Sequence, residues 1–182
     1  MKLTIIAAAL AVAAPLAVAS AAHADGEPTT TLEIGYTRAD FRVTGASDFG
    51  VNTVEVRGGI QANKHWGVEM EAGFGAGDTT IHAGGGTGTV RQDWQVAIYG
   101  VGYLPVNKDA DIIGRIGYGR TQLNISGPGG SGAGQANGAT AGVGFRMFPG
   151  GGKNGFRVDY THYFYNAGTT ADAFGATYVR KF

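Results

Sequence analysis

The 182-residue sequence contains no cysteine, only five prolines, and no excess of either charge sign, with 14 Lys+Arg against 14 Asp+Glu. Without cysteine there is no disulfide framework and no cysteine-ligated metal. A balanced charge leaves no basic stripe of the kind nucleic acid requires. Too few prolines and no G-X-Y period exclude collagen. Past the N-terminus there is no run of about 20 apolar residues, so no membrane-spanning helix is expected. A β-barrel escapes that test, because it spans with strands of about 9–11 residues that alternate apolar and polar.

The chain does have 33 glycines, nine phenylalanines, eight tyrosines and two tryptophans. Each glycine in a helix costs about 1 kcal/mol relative to alanine, which argues against a helical domain. The aromatics and β-branched residues are too many for a disordered chain. The one long apolar run, Ile5 to Val18, follows Met1-Lys2 and precedes Ala22-His23-Ala24. That order predicts a secretory leader over 1–24 and a single mature domain over 25–182.

Period-two alternation fills the mature sequence. Trp66, Val68, Met70, Ala72 and Phe74 oppose Gly67, Glu69, Glu71, Gly73 and Gly75. Similar runs occupy Thr31–Thr44, Asn52–Gln61, Asp93–Leu104, Asp111–Ile125, Gly138–Phe148, Gly155–Tyr165 and Asp172–Phe182. In the run from Asp93, Ala97, Tyr99, Val101 and Tyr103 are expected outward, with Gly100 and Gly102 inward. Short lysine-bearing connections (Ala62–His65, Pro105–Asp109, Pro149–Asn154) alternate with longer ones rich in Gly, Ser, Thr or Asp (Gly45–Gly50, Asp78–Thr89, Ser126–Asn137, Asn166–Ala171). Turns on one side and loops on the other describe an all-β, eight-stranded antiparallel up-and-down barrel.

Alternation alone does not fix which face is inside. One face carries Glu33, Glu55, Arg57, Glu69, Glu71, Arg115, Arg146, Arg157 and Asp159. A soluble barrel would turn these outward, and a transmembrane barrel inward. The leader and the aromatics near strand ends (Tyr36, Trp66, Tyr103, Phe148 and Phe156, expected as a girdle) favour the membrane. In a lumen this narrow the charges must pair, giving a structural plug; a narrow pore is the alternative.

The last run, Phe174-Gly175-Ala176-Thr177-Tyr178-Val179-Arg180-Lys181-Phe182, resembles the assembly signal of Gram-negative outer-membrane barrels, with Phe174, Tyr178 and Phe182 on its apolar face. It departs from that signal at Arg180, where an apolar residue is usual. Residues 30–182 are similar to the small opacity-type or "porin family" outer-membrane barrels. The resemblance rests on Trp66–Gly75, Tyr99-Gly100-Val101-Gly102-Tyr103-Leu104-Pro105-Val106 and Arg115-Ile116-Gly117-Tyr118-Gly119. It implies an eight-stranded barrel in the outer membrane of a Gram-negative cell. The implied partners are outer-membrane lipids, lipopolysaccharide and the barrel-assembly machinery; no single activity, cofactor or external ligand is implied.

Tyr160 to Gly168 is also similar to the His-x-Ser region of outer-membrane lipid A deacylases, with His162 at the histidine and Asp172 the nearest candidate acid on the following strand. Phe164 stands where that family has its serine, and a benzyl group is no nucleophile. Gly127-Pro128-Gly129-Gly130-Ser131-Gly132 fits G-x-G-x-x-G but opens no helix, so it reads as an external loop. There is no H-E-x-x-H, and no catalytic, cofactor or metal residues are expected.

Overall fold

A computed structural model describes residues 28–44, 47–83, 86–127, 130–166 and 168–182. The expected leader lies outside the described residues. The strands are β1 (Thr29–Val43), β2 (Phe49–Gln61), β3 (Trp66–Gly75), β4 (Thr79–Ala83), β5 (Gly86–Asn107), β6 (Ala110–Gly127), β7 (Gly130–Met147), β8 (Asn154–Tyr165) and β9 (Thr169–Lys181). Every pairing is antiparallel. The order β3-β2-β1-β9-β8-β7-β6-β5 closes through β3–β5 into a ring of eight. β4 continues the line of β3 along β5, beyond Ala76–Asp78. Closure pairs the first strand with the last, Thr31 opposite Lys181 through Val43 opposite Thr169. No edge remains within the ring, so its backbone donors and acceptors are satisfied where water is excluded.

Side-chain facing settles the polarity. Leu32, Ile34, Val54, Val68, Val96, Ile98, Ile116, Val143 and Val158 are exposed on the outer wall. Glu33, Glu55, Arg57, Glu69, Glu71, Arg115, Arg146, Arg157 and Asp159 are buried in the lumen. An apolar belt of that extent belongs in lipid and not in water.

Three expectations change. Ala97, Tyr99, Val101 and Tyr103 point inward, not outward. A bulge between Gln92 and Trp94 resets the parity of β5, so that Gln92 and Gln95 are both buried. Neighbouring glycines make room for the rings. A Cβ on Gly67 would lie 3.1 Å from Tyr103, and one on Gly117 would lie 2.8 Å from Tyr99. Second, Tyr103 and Phe148 do not join the outward aromatics; they are 4% and 1% exposed, against 64% for Trp66. Tyr36 and Phe156 do face outward. Third, the stretches read as loops at Asp78–Thr89 and Ser126–Asn137 are largely strand. β4 pairs with the start of β5, and β6 pairs with β7 from Gly127 opposite Gly130 downward. Gly, Ser and Ala leave no side-chain alternation to betray a strand held by backbone ladders alone.

Candidate functional site: a charged lumen between two mouths

The lumen is built in three layers. In the middle, Arg57 reaches Glu33 at 2.8 Å, Glu71 at 2.9 Å, Glu55 at 3.0 Å and Asp159 at 3.5 Å. Arg115 bridges Glu71 at 2.9 Å and Asp159 at 2.6 Å, and also donates to Thr161 Oγ1. Arg157 meets Glu69 at 2.8 Å, Asp159 at 3.2 Å and Glu33 at 3.4 Å. Register makes this possible. Glu33 lies opposite Arg57, Arg57 opposite Glu71, and Arg157 and Asp159 point inward two residues apart on β8. Eight of the nine lumen charges foreseen in the sequence thus converge. The ninth, Arg146, stands apart near the turn end, held by Asp111 at 2.8 Å and Gln61 at 2.6 Å.

Carboxylates outnumber guanidiniums in the central layer: Glu33, Glu55, Glu69, Glu71 and Asp159 against Arg57, Arg115 and Arg157. Neutral groups extend the cluster. Gln95 Nε2 donates to Glu71 Oε1 at 2.8 Å, Tyr103 OH donates to Glu69 at 3.2 Å, and Tyr99 and Tyr163 hydroxyls meet at 3.4 Å. The Arg115 guanidinium lies 4.4 Å from the Tyr99 ring centroid, a cation–π contact. Sequence reading missed Gln95, Tyr99 and Tyr103 because the bulge in β5 is invisible to a strict period of two.

Above the charges, on the loop side, sits an apolar and aromatic layer of Phe41, Val51, Val90, Leu123, Tyr163 and Tyr165. Phe41 stacks on Tyr165 at 5.9 Å and on Phe49 at 5.2 Å. Below them, at the turn side, Arg146 lies 4.1 Å from the Tyr103 ring centroid and 5.5 Å from that of Phe148. Lys181 Nζ lies 3.5 Å from the Phe148 centroid.

The outer wall carries a second polar cluster, above the apolar band. Asp172 accepts from Tyr160 OH, pairs with His162 Nδ1 at 2.7 Å and receives Arg42 Nη1 at 2.6 Å. These hydrogen bonds, His162 first and Tyr160 next, hold the Asp172 carboxyl down at about 2. The candidate acid on the strand that follows His162 is therefore its partner in space. The Phe164 ring centroid lies 4.4 Å from that of His162, edge-on, where a serine nucleophile would be needed. Phe174, Tyr178 and Phe182 of the terminal strand all face outward and are exposed.

The outer membrane protein β-barrel domain family matches residues 5–182. Among solved structures, Ail, the attachment invasion locus protein of Yersinia pestis, superposes with a TM-score of 0.65 at 15% identity, over 86% of this chain and 100% of Ail. Neisserial surface protein A gives 0.63 at 8% identity, over 86% of this chain and 100% of its own. OprG from Pseudomonas aeruginosa, an outer membrane protein, gives 0.57 at 10% identity, over 85% and 95%. No curated protein sequence matches the chain. At these identities the solved structures speak for the fold, and the family match speaks for the chain: it belongs to the outer membrane β-barrel domain family of Gram-negative bacteria.

Proposed function

We propose that this protein is a non-enzymatic surface-interaction barrel whose lumen is plugged by its own ion pairs. One observation carries the reading: the strands outrun the membrane on the loop side. β5 has 22 residues, and β6 and β7 have 18 each, where about 9–11 suffice to span. β8 stops pairing at Tyr165 opposite Gly138, so β7 projects past its neighbour. On that side the Asn137 carbonyl still accepts from the Asn166 backbone N–H, and the Asn137 N–H donates to the Asn166 side-chain oxygen. By alternation the N–H and C=O groups of Gln135, Ala133 and Ser131 point the same way, and they find no partner among the described residues. A free, uncharged edge outside the cell suits contact with other surfaces. The aromatic layer over the charged layer supports the plug, and Phe164 beside His162 supports the absence of hydrolysis.

The test is to shorten the β6–β7 hairpin, joining Gln122 to Gln135 by a two-residue turn. Heat-shifted migration in SDS gels should persist, while adhesion of cells expressing the protein should fall to the background of cells lacking it. Unchanged adhesion counts against the reading.

A narrow cation-preferring pore is the second reading, favoured by the surplus of carboxylates in the central layer. Planar-bilayer recording decides between them. The plug predicts no steady conductance. Steady conductance that changes in Glu71→Gln or Arg115→Gln would establish the pore.

A further inference from the structure

The turn side of the barrel opens into a recess of about 400 Å³, within the range of small-ligand sites. Short turns and the outer ends of β1 and β9, at Thr29 and Lys181, place this mouth in the periplasm. Its lining sets four cations, Lys64, Lys108, Arg146 and Lys181, against two carboxylates, Asp109 and Asp111. Arg146 pairs with Asp111 through Nε but keeps a buried Nη1 with no hydrogen-bond partner among the described residues, and Lys108 lies 4.0 Å from Asp109. Lys64 and Lys181 have no carboxylate within ion-pair distance among the described residues, although both line the recess. Lys181 is half-buried over the Phe148 ring; burial first, and the Arg146 charge next, lower its pKa. An ammonium held in that way gains most from an anion brought to it.

The amides point to the same chemistry. Asn63 uses its side-chain oxygen to hold the β2–β3 turn, accepting from the His65 and Trp66 N–H groups. Asn107 does the same for Asp109. Both NH₂ groups are thereby left without a partner among the described residues. A bare phosphate could accept from all four donors, the two ammonium groups and the two amides, but would leave the apolar wall of Pro105 and Phe148 uncovered. A peptide offers acceptors for all of them, a carboxylate for the lysines and carbonyls for the amides.

We propose that this periplasmic recess binds a carboxylate-bearing peptide, with Lys64 and Lys181 as its charge contacts. Two sources share that chemistry. Asp25 and Glu27 precede Thr29, which lines the recess, so the chain's own start is one; a separate periplasmic peptide is the other. The inference is independent of the surface reading, since it concerns the opposite mouth.

The experiment uses residues 25–182 refolded in detergent, and the same chain carrying Asp25→Asn and Glu27→Gln. Calorimetric titration with the tripeptide Asp-Gly-Glu should show saturable binding to the double variant. Lys181→Gln, and separately Lys64→Gln, should weaken it at least tenfold while the heat shift in gels is retained. The fully amidated tripeptide should not bind. Weaker binding to the unsubstituted chain would identify its own start as the occupant; equal binding would identify a separate peptide. Absence of binding to both forms, indifference to both lysine substitutions, or inorganic phosphate binding as tightly as the peptide would each overturn the proposal.

Discussion

Asp172 sits on the outer wall above the lipid band, where three donors converge on one carboxylate. Its folded pKa of about 2 lies below the ordinary aspartate value of about 3.9. The unfolded chain therefore binds the proton more readily. The stabilisation from this cluster is complete above the unfolded value and is lost as pH falls through the folded one. Urea unfolding in detergent should show the parent chain more stable than Asp172→Asn at pH 6. The difference should shrink steadily below about pH 4 and vanish near pH 2. A difference that is flat across this range would mean that the carboxylate is not held by its neighbours. At this scale the sequence was a good guide to charges and a poor one to tyrosines. Glu69 and Glu71 announce an interior face through strict alternation with Val68, Met70 and Ala72. Tyr99 and Tyr103 do not, because a tyrosine suits either a membrane interface or a hydrogen-bonded lumen. Only the bulge at Gln92/Trp94 and the glycines opposite decide between the two.

Among the elements, β6 shows how glycine acts by position. Gly117 faces the lumen, and a Cβ there would lie 2.0 Å from the Ile98 carbonyl oxygen and 2.8 Å from the Tyr99 ring. The first contact is backbone, so relief requires moving a ladder strand. Gly114 lies three residues away on the outer wall, with nothing within 4 Å of an added Cβ. Gly117→Ala should thus cost at least about 1–3 kcal/mol, the range of an overpacked interior. Gly114→Ala should remain within about 0.5 kcal/mol of the parent. Unfolding midpoints in detergent measure both, and equal effects would contradict the inward facing of Gly117. The eight ring strands were legible because one face of each meets lipid and the other meets charge, which enforces the period. The extensions beyond the ring were not. Gly86–Thr89 and Gly130–Asn137 meet water on the outside, so nothing selects an alternating pattern, and their composition resembles that of a loop.

The whole molecule is organised as an inverted solvent problem, with charge inside and apolar surface outside. Lumen charges are tolerated because Arg57, Arg115 and Arg157 each meet at least two carboxylates at close range. Outer-wall apolar residues are tolerated because lipid surrounds them, and the cost of a charge on that wall therefore depends on depth. Ile116 is 70% exposed and lies opposite Gly100, midway along the apolar stretch of β5. Leu104 is 61% exposed but adjoins the β5–β6 turn. In phospholipid vesicles Ile116→Arg should cost about 2–4 kcal/mol, whereas Leu104→Arg should cost about 0–1 kcal/mol, because a shallow arginine reaches the headgroups. Exposure to solvent is similar at the two sites, so a water-soluble barrel would treat them alike. Urea unfolding followed by tryptophan fluorescence separates the two cases. A gap of about 2 kcal/mol would show the wall to be lipid-facing at Ile116 and interfacial at Leu104. Equal, small costs at both sites would remove the membrane from the account of this wall.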